Sequence, residues 1–151
     1  MSTDLLRQLA VGWEYAYLHE DWTTPLSELL DGLDAAAALR HPSGESRSIW
    51  AIVLHLSVWN ENIVTRVLTG ENADPEEGAW PPLPPDPDDT AWEAAKIRLA
   101  DSFAAVAHML ETVTYAQIQD SPYGLPDLLC RYVHAGYHVG QIVKLRECLR
   151  V

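Results

Sequence analysis

The sequence predicts an all-α protein, a four-helix bundle with a long crossover between its second and third helices. Two observations predict this fold class. Four long segments carry apolar residues at helical spacings, and a proline-rich, acidic segment of 19 residues separates the second of them from the third. Of the 151 residues, 48% are hydrophobic, and no composition break divides the chain. We therefore expect a single domain over residues 1–151.

The N-terminal part of the chain is predicted to form one long and one short helix. The long helix extends from about Thr3 to Glu20, because its apolar residues are one, three and four positions apart. Thr24 is the expected N-cap of the short helix, and Pro25 is its expected first residue. Gly32 is expected to interrupt the short helix.

The second long helix is predicted from about Arg47 to Leu68, where the apolar pattern is too long and too regular for a strand. Gly70 is its expected C-terminal stop. The following segment, from Glu71 to Asp89, contains six prolines, seven acidic residues and no basic residue. We expect an extended, partly polyproline link there.

The third long helix is predicted from Thr90 to about Val113, with Thr90 and Glu93 at the spacing of a capping box. The fourth is predicted from near Pro126 to Leu149. A link of about 19 residues spans roughly 60 Å, whereas a helix of about 22 residues is only about 33 Å long. The link can therefore run the length of the bundle and let the second and third helices lie parallel.

Charge and composition exclude several functions. The formal charge is -12, from 22 acidic and 10 basic residues, and no basic stripe is present, so we expect no nucleic-acid partner. No segment approaches the roughly 18 uncharged apolar residues of a membrane span, and the N-terminal residues do not resemble a signal peptide. Cys130 and Cys148 would lie about 27 Å apart on one helix, too far for a disulfide. We expect both to be reduced, as in a cytoplasm.

Two histidines on the fourth helix are candidate metal ligands. His134 and His138 are four residues apart, so they project from one helix face on successive turns and suit bidentate capture of one ion. The alternative is that they are packed or surface histidines.

A third histidine, His55, lies among apolar neighbours in the second helix, where a lone histidine is more often a satisfied core residue. If the second and fourth helices are antiparallel, His55 meets the pair at comparable depth. Three neutral imidazoles suit zinc, nickel or iron and leave coordination positions for water or substrate.

Further residues near this cluster are weaker candidates. Trp59, Tyr137 and Gln141 are candidates to line a pocket or to support the ligands. Cys130 lies one turn before His134 and could reach the site, although a buried, inert cysteine is favoured. The remaining histidines are expected at the solvated surface: His19, His41 and His108.

Gly136 and Gly140 lie in the middle of the fourth helix, where each costs about 1 kcal/mol relative to alanine. Their spacing indicates a close approach of another helix, as at a dimer interface.

Several metal and nucleophile chemistries lack their residues. In the motif HAGYH, Ala135 stands where a zinc peptidase has its glutamate base. The G-x-S-x-G turn, the phosphate-binding loop and the C-x-x-C pair are absent from the sequence, as are the paired Glu-x-x-His motifs of di-iron bundles.

Three sequence segments together resemble the DinB/YfiT-like superfamily. They are SIWAIVLHLSVWN, the acidic proline-rich link leading into TAWEAAKIRLADSF, and LLCRYVHAGYHVGQI. The most specific part is a histidine on the second helix followed by H-x-x-x-H-x-G-Q-[IL]. The corresponding residues are His55, His134, His138, Gly140 and Gln141.

The resemblance implies a four-helix bundle with the long crossover, frequently dimeric, whose three histidines hold a divalent metal. Nickel and zinc are the first candidates for that metal, and iron and manganese are further ones. It also implies a metal-dependent thiol S-transferase that joins a small electrophile to a low-molecular-weight thiol such as mycothiol or bacillithiol. Metal-dependent hydrolysis and a non-catalytic, metal-binding role in stress are the alternatives, so the resemblance does not establish an enzyme.

Overall fold

The computed structural model of the chain describes residues 2–20, 23–42, 47–121 and 124–150. These residues form helices and no strand, so the predicted all-α class is confirmed. Among the described residues, four helices are long and three are short. In chain order the helices are α1 (Ser2–Glu14), α2 (Leu26–Leu29), α3 (Ala35–Leu39), α4 (Ile49–Thr69), α5 (Asp89–Thr112), α6 (Tyr115–Asp120) and α7 (Gly124–Leu149).

Contacts between the long helices give their directions. Trp50 on α4 packs on Trp92 of α5, with 5.2 Å between ring centroids, and Asn60 donates to Ser102 ten residues further along both helices. Numbering therefore rises in the same direction along α4 and α5. Between α4 and α7 it runs in opposite directions, because His55 meets His134 whereas Trp59 meets Arg131.

The first helix ends earlier than its apolar pattern predicted. α1 stops at Glu14, and the carbonyls of Ala16 and Tyr17 accept hydrogen bonds from the backbone N–H groups of Leu26 and Ser27. These long-range bonds satisfy the first amides of α2. The prediction of Thr24 as N-cap was therefore wrong: the N-cap position is occupied by Pro25, which makes no side-chain capping bond.

The predicted capping box of Thr90 and Glu93 was also wrong. Asp88 is the N-cap of α5, and its carboxylate accepts from the backbone N–H of Ala91 at 2.8 Å. The next residue, Asp89, accepts from the N–H of Ala35 at 2.8 Å, so it satisfies an amide at the start of α3. Two aspartates thus fix the start of α5: Asp88 bonds within the helix, and Asp89 bonds to α3.

The C-terminal boundary of α4 agrees with its sequence signal. Gly70 caps the C-terminus of α4 with φ of 74°, a left-handed conformation that favours glycine. Residues 70–88 between α4 and α5 contain no helix or strand, as the composition of the link predicted. The N-cap of α4 is Ser48, whose hydroxyl accepts from Ala51.

Large aromatic side chains fill the core between these helices. Trp13, Trp50 and Trp92 are each no more than 1% exposed. The indole N–H of Trp13 donates to the Phe103 carbonyl at 3.1 Å, and that of Trp92 donates to the Leu33 carbonyl at 2.7 Å. These two bonds fasten α5 to the N-terminal part of the chain while satisfying buried donors.

One face of α7 is exposed to solvent. Val133 and Tyr137 are 74% and 61% exposed, whereas Ile142 and Leu145 are buried. A Cβ built on Gly136 or Gly140 would have no neighbour within 4 Å among the described residues. The prediction that these glycines mark a close helix approach was therefore wrong for contacts within the described part of the chain. Within the residues that the structure describes, no helix is both long and apolar enough to cross a membrane.

Candidate metal centre

Three imidazoles from two antiparallel helices meet at one point. Nε2 of His134 lies 2.9 Å from Nε2 of His55 and 3.1 Å from Nε2 of His138. The potential ligand atoms of the three residues all lie within 4.8 Å of one another. The structure thus brings together the three histidines that the sequence nominated, one from α4 and two from α7.

The cluster lies largely out of solvent. His55 and His138 are 6% and 3% exposed, and His134 is half-buried. The buried apolar side chains that precede and follow His55 on α4 set its depth in the bundle. On α7, the four-residue spacing places His134 and His138 on the same face, which points toward α4.

Hydrogen bonds fix which nitrogen carries the proton in two of the rings. Nδ1 of His55 donates to the backbone carbonyl of Ala79, which is an acceptor only. Nδ1 of His138 donates to Oε1 of Gln141 at 2.6 Å, and the Gln141 amide in turn donates to the Tyr137 hydroxyl at 2.9 Å. In their neutral forms, His55 and His138 therefore present unprotonated Nε2 atoms to the centre of the cluster.

This arrangement is suited to a cation. His134 Nε2 faces the Nε2 atoms of both other rings, and a single proton there satisfies at most one of the two contacts. At least one of the Nε2 lone pairs that face the centre is therefore left without a hydrogen-bond donor within the cluster. Two nitrogen ligands bound about 2.1 Å from one ion are roughly 3 to 3.4 Å apart, which is close to the observed separations. The donor set thus fits a divalent metal of intermediate softness, such as zinc or nickel.

The local electrostatics keep all three rings neutral. Burial, followed by the influence of His138, His55 and Arg131, lowers the pKa of His134 to about 3. Burial, followed by the influence of His55, lowers the pKa of His138 to about 4. The pKa of His55 is lowered mainly by burial. Near neutral pH these imidazoles are therefore available as metal ligands without first losing a proton.

The link between α4 and α5 completes the cluster with residues that the sequence interpretation missed. Trp80 lies flat on His55, with ring centroids 3.8 Å apart, and the carbonyl of its neighbour Ala79 accepts the His55 proton. The signal available in the sequence was a tryptophan within an acidic, proline-rich link, because so large an apolar ring tends to pack against other residues.

The supporting residues nominated from sequence differ in their placement. Gln141 contacts a cluster histidine directly. Tyr137, although exposed, bonds to Gln141 and lies 5.0 Å from His138 between ring centroids. Trp59 is half-buried, with its ring 6.4 Å from His55 and the guanidinium of Arg131 5.1 Å from it.

The other candidates lie outside the cluster. Cys130 is exposed and unbonded to another cysteine, so the expectation of a buried cysteine was wrong, and its thiol is not among the grouped ligand atoms. Cys148 is likewise free and exposed. The side chains of His19, His41 and His108 are exposed, as expected.

An all-α chain with three histidines converging from antiparallel helices is a helical bundle with a site that could hold a metal ion. The family model of the DinB superfamily matches residues 18–142, which include all three histidines and the link. The chain therefore belongs to the DinB superfamily, a metal-binding superfamily. No curated protein and no solved structure matches the chain significantly.

Proposed function

We propose that His55, His134 and His138 bind one divalent metal ion, nickel or zinc, and that the protein is a metal-dependent thiol S-transferase. The observation that carries this proposal is the convergence of three Nε2 atoms, two of them fixed as unprotonated by bonds at Nδ1. Three protein ligands leave room for a small molecule at the same ion, unlike the four that close a structural zinc site.

A divalent metal at this site would lower the pKa of a bound thiol, so that the thiol is present as the nucleophilic thiolate near neutral pH. The protein residues orient the ligands. The Ala79 carbonyl and the Gln141 amide hold two imidazole protons away from the centre, and the stacked Trp80 ring excludes water from one face of His55.

The substrates in this proposal are a small electrophile and a low-molecular-weight thiol, for which mycothiol and bacillithiol are the first candidates. Membership of the DinB superfamily supports metal binding. The exposed position of Tyr137 at the edge of the cluster supports access by a small molecule from solvent.

Metal content tests the first half of the proposal. Untagged protein is stripped, reloaded with nickel or zinc, and analysed by plasma mass spectrometry beside the variant His134→Ala/His138→Ala. We expect about one ion per chain, which this variant loses and the control His108→Ala keeps, because His108 is exposed on α5. Equal trace metal in all three proteins would refute the metal site.

Reaction with 4-nitrophenyl acetate tests the second half. A thiol that attacks the acyl carbon gives a thioester and 4-nitrophenolate, whereas water gives acetate and 4-nitrophenolate. We expect the metal-loaded protein to release 4-nitrophenolate faster with added thiol and to form the thioester. Thiol-independent release would identify a hydrolase instead, and tight metal binding without turnover would identify a non-catalytic metal-binding protein.

A further inference from the structure

A cavity of about 350 Å³ lies between α4 and α7 beside the histidine cluster. Gln141, which bonds to His138, and Tyr137, which bonds to Gln141, form the side of the cavity nearest the cluster. Its volume is at the small end of the range for metabolite sites. A molecule of modest size could therefore occupy the cavity while reaching toward the histidines.

The charges that line the cavity are all positive among the described residues. Arg47 and Lys144 line it, and the described lining residues include no aspartate or glutamate, in a chain whose formal charge is -12. By contrast, a second cavity, around Arg66, is lined by acidic residues, among them Glu71 and Asp74. The two cations, with no acidic residue among the described lining of their cavity, are therefore a local exception to the charge of this protein.

Neither cation forms an ion pair with another described residue. Arg47 and Lys144 are both exposed, and Arg47 instead lies over the ring of Trp80, with its Cζ 4.4 Å from the ring centroid. Because Trp80 stacks at 3.8 Å on His55, the two distances together place this guanidinium within about 8 Å of the His55 ring. An anion bound by Arg47 would therefore lie close to the histidine cluster.

We propose that this cavity binds a small carboxylate-bearing molecule, with Arg47 and Lys144 binding the carboxylate while another part of the molecule reaches the histidine cluster. Arg47 offers a planar fork of donors that matches a carboxylate, and Lys144 adds a point charge. This assignment rests on the proposed function, and it places a carboxylate on one of the two reactants, the electrophile or the thiol. Without these two residues, the acidic surface would repel such an anion.

Cys148 provides a reporter inside the same cavity, because its thiol is exposed and lines it. Iodoacetate and iodoacetamide alkylate thiols and have nearly the same size, but only iodoacetate is an anion. Cys130, which is exposed near the other end of α7, is the matched control for the intrinsic difference between the reagents. Cys148 lies at the C-terminal end of α7, whose dipole disfavours anions, so any preference for iodoacetate must come from the side chains.

The experiment measures alkylation rates at Cys148 in Cys130→Ala protein and at Cys130 in Cys148→Ala protein, both metal-loaded and metal-stripped. We expect the ratio of the iodoacetate rate to the iodoacetamide rate to be about three- to tenfold higher at Cys148. Added Arg47→Gln and Lys144→Gln substitutions should reduce that ratio to the value at Cys130. Lys144→Gln alone should give an intermediate ratio. Circular dichroism checks that each substituted protein is folded.

Equal ratios at the two cysteines, or a high ratio that survives both substitutions, would overturn the carboxylate site. This outcome is separable from failure of the metal proposal, since charge selectivity at Cys148 does not require metal. Stoichiometric metal with equal ratios removes only the carboxylate site. Selectivity at Cys148 in a protein that takes up no metal on reloading removes only the proposed metal centre.

A second arm identifies which reactant carries the carboxylate. Nickel-loaded protein is titrated with 3-mercaptopropionate and with 2-mercaptoethanol, and thiol binding is followed by absorption. Tighter binding of 3-mercaptopropionate that depends on Arg47 and Lys144 assigns the carboxylate to the thiol. Equal binding of the two thiols, together with iodoacetate selectivity at Cys148, assigns it to the electrophile.

Discussion

The indole of Trp80 lies nearly parallel to the imidazole of His55, with 13° between the ring planes and 3.8 Å between the centroids. Trp80 belongs to the link, which has no regular structure, whereas His55 belongs to the longest buried stretch of α4. Through this contact, the link covers one side of the candidate metal centre. The same segment supplies the Ala79 carbonyl that fixes the tautomer of His55.

Removal of the Trp80 ring should weaken metal binding. Trp80→Ala is expected to lower metal affinity by about 10- to 100-fold, the usual effect of losing a group that orients a ligand, because His55 loses its stacking partner. Trp80→Phe should keep most of the affinity. Competition with a chromogenic chelator measures the affinity, and Leu83→Ala in the same link is the control. An unchanged affinity in Trp80→Ala would show that the Ala79 carbonyl alone positions His55.

Gln141 should act through the tautomer of His138. Gln141→Leu removes the acceptor of the Nδ1 proton, so we expect about a 10-fold or greater loss of metal affinity. Gln141→Glu keeps an acceptor at this position and should retain binding. The two variants are compared by the same chelator competition. If both variants lost affinity equally, the role of Gln141 would be packing and not proton placement.

Arg98 is one of the residues that hold the link in place, together with Arg66 and Asn62, which both donate to the Ala73 carbonyl. Arg98 on α5 donates to Glu61 on α4 at 2.8 and 2.7 Å and to Glu77 in the link at 3.2 and 2.6 Å. The hydrogen bond from Arg98 lowers the pKa of Glu77. These groups are partly exposed, so we expect Arg98→Gln to lower the free energy of unfolding by only about 0.5 to 1 kcal/mol.

The stronger effect of Arg98→Gln should be local. Limited proteolysis should cleave the link faster, and metal affinity should fall because Trp80 is less firmly placed. Lys96→Gln is the matched control, since Lys96 pairs with Glu93 on its own helix and not with the link. Equal cleavage rates in both variants would contradict the tether.

The metal-free protein should lose stability in mild acid. The pKa values of His134 and His138 are about 3 and about 4 in the folded chain, below the ordinary value of 6.5. Between about pH 4 and pH 6.5 the unfolded chain therefore binds more protons than the folded chain does. The free energy of unfolding consequently falls as the pH decreases below about 6.5. Urea unfolding with a chelator present, from pH 7 to pH 4.5, measures this fall. His134→Gln/His138→Gln should show a smaller fall, and an identical pH dependence in both proteins would contradict the assignment.

Gly136 should tolerate alanine. A Cβ at this position would have open space around it, and alanine favours a helix over glycine by about 1 kcal/mol, so we expect Gly136→Ala to raise the free energy of unfolding by about 0.5 to 1 kcal/mol. Urea unfolding and sedimentation at several concentrations provide the measurement. Destabilisation with loss of a dimer would show that a second copy packs on this face, as the resemblance to the superfamily implied.

Sequence by itself determined the features that depend on local spacing and residue chemistry. The apolar periodicity determined the long helices, Gly70 determined the end of α4, and the four-residue spacing of His134 and His138 placed two candidate ligands on one face. These features follow from the pitch of a helix and from the conformational freedom of glycine.

Only the tertiary structure decided the features that depend on contacts between distant residues. α1 ends at Glu14, just before the Ala16 carbonyl that accepts from the amide of Leu26, and the α5 N-terminus is set partly by the bond of Asp89 to Ala35. The link has no periodicity, so its sequence does not show that Trp80 covers His55. The presence of Arg47 and Lys144 in one cavity likewise depends on how α4 and α7 pack. The two residues are 97 positions apart, and no helical or strand periodicity relates residues at that separation.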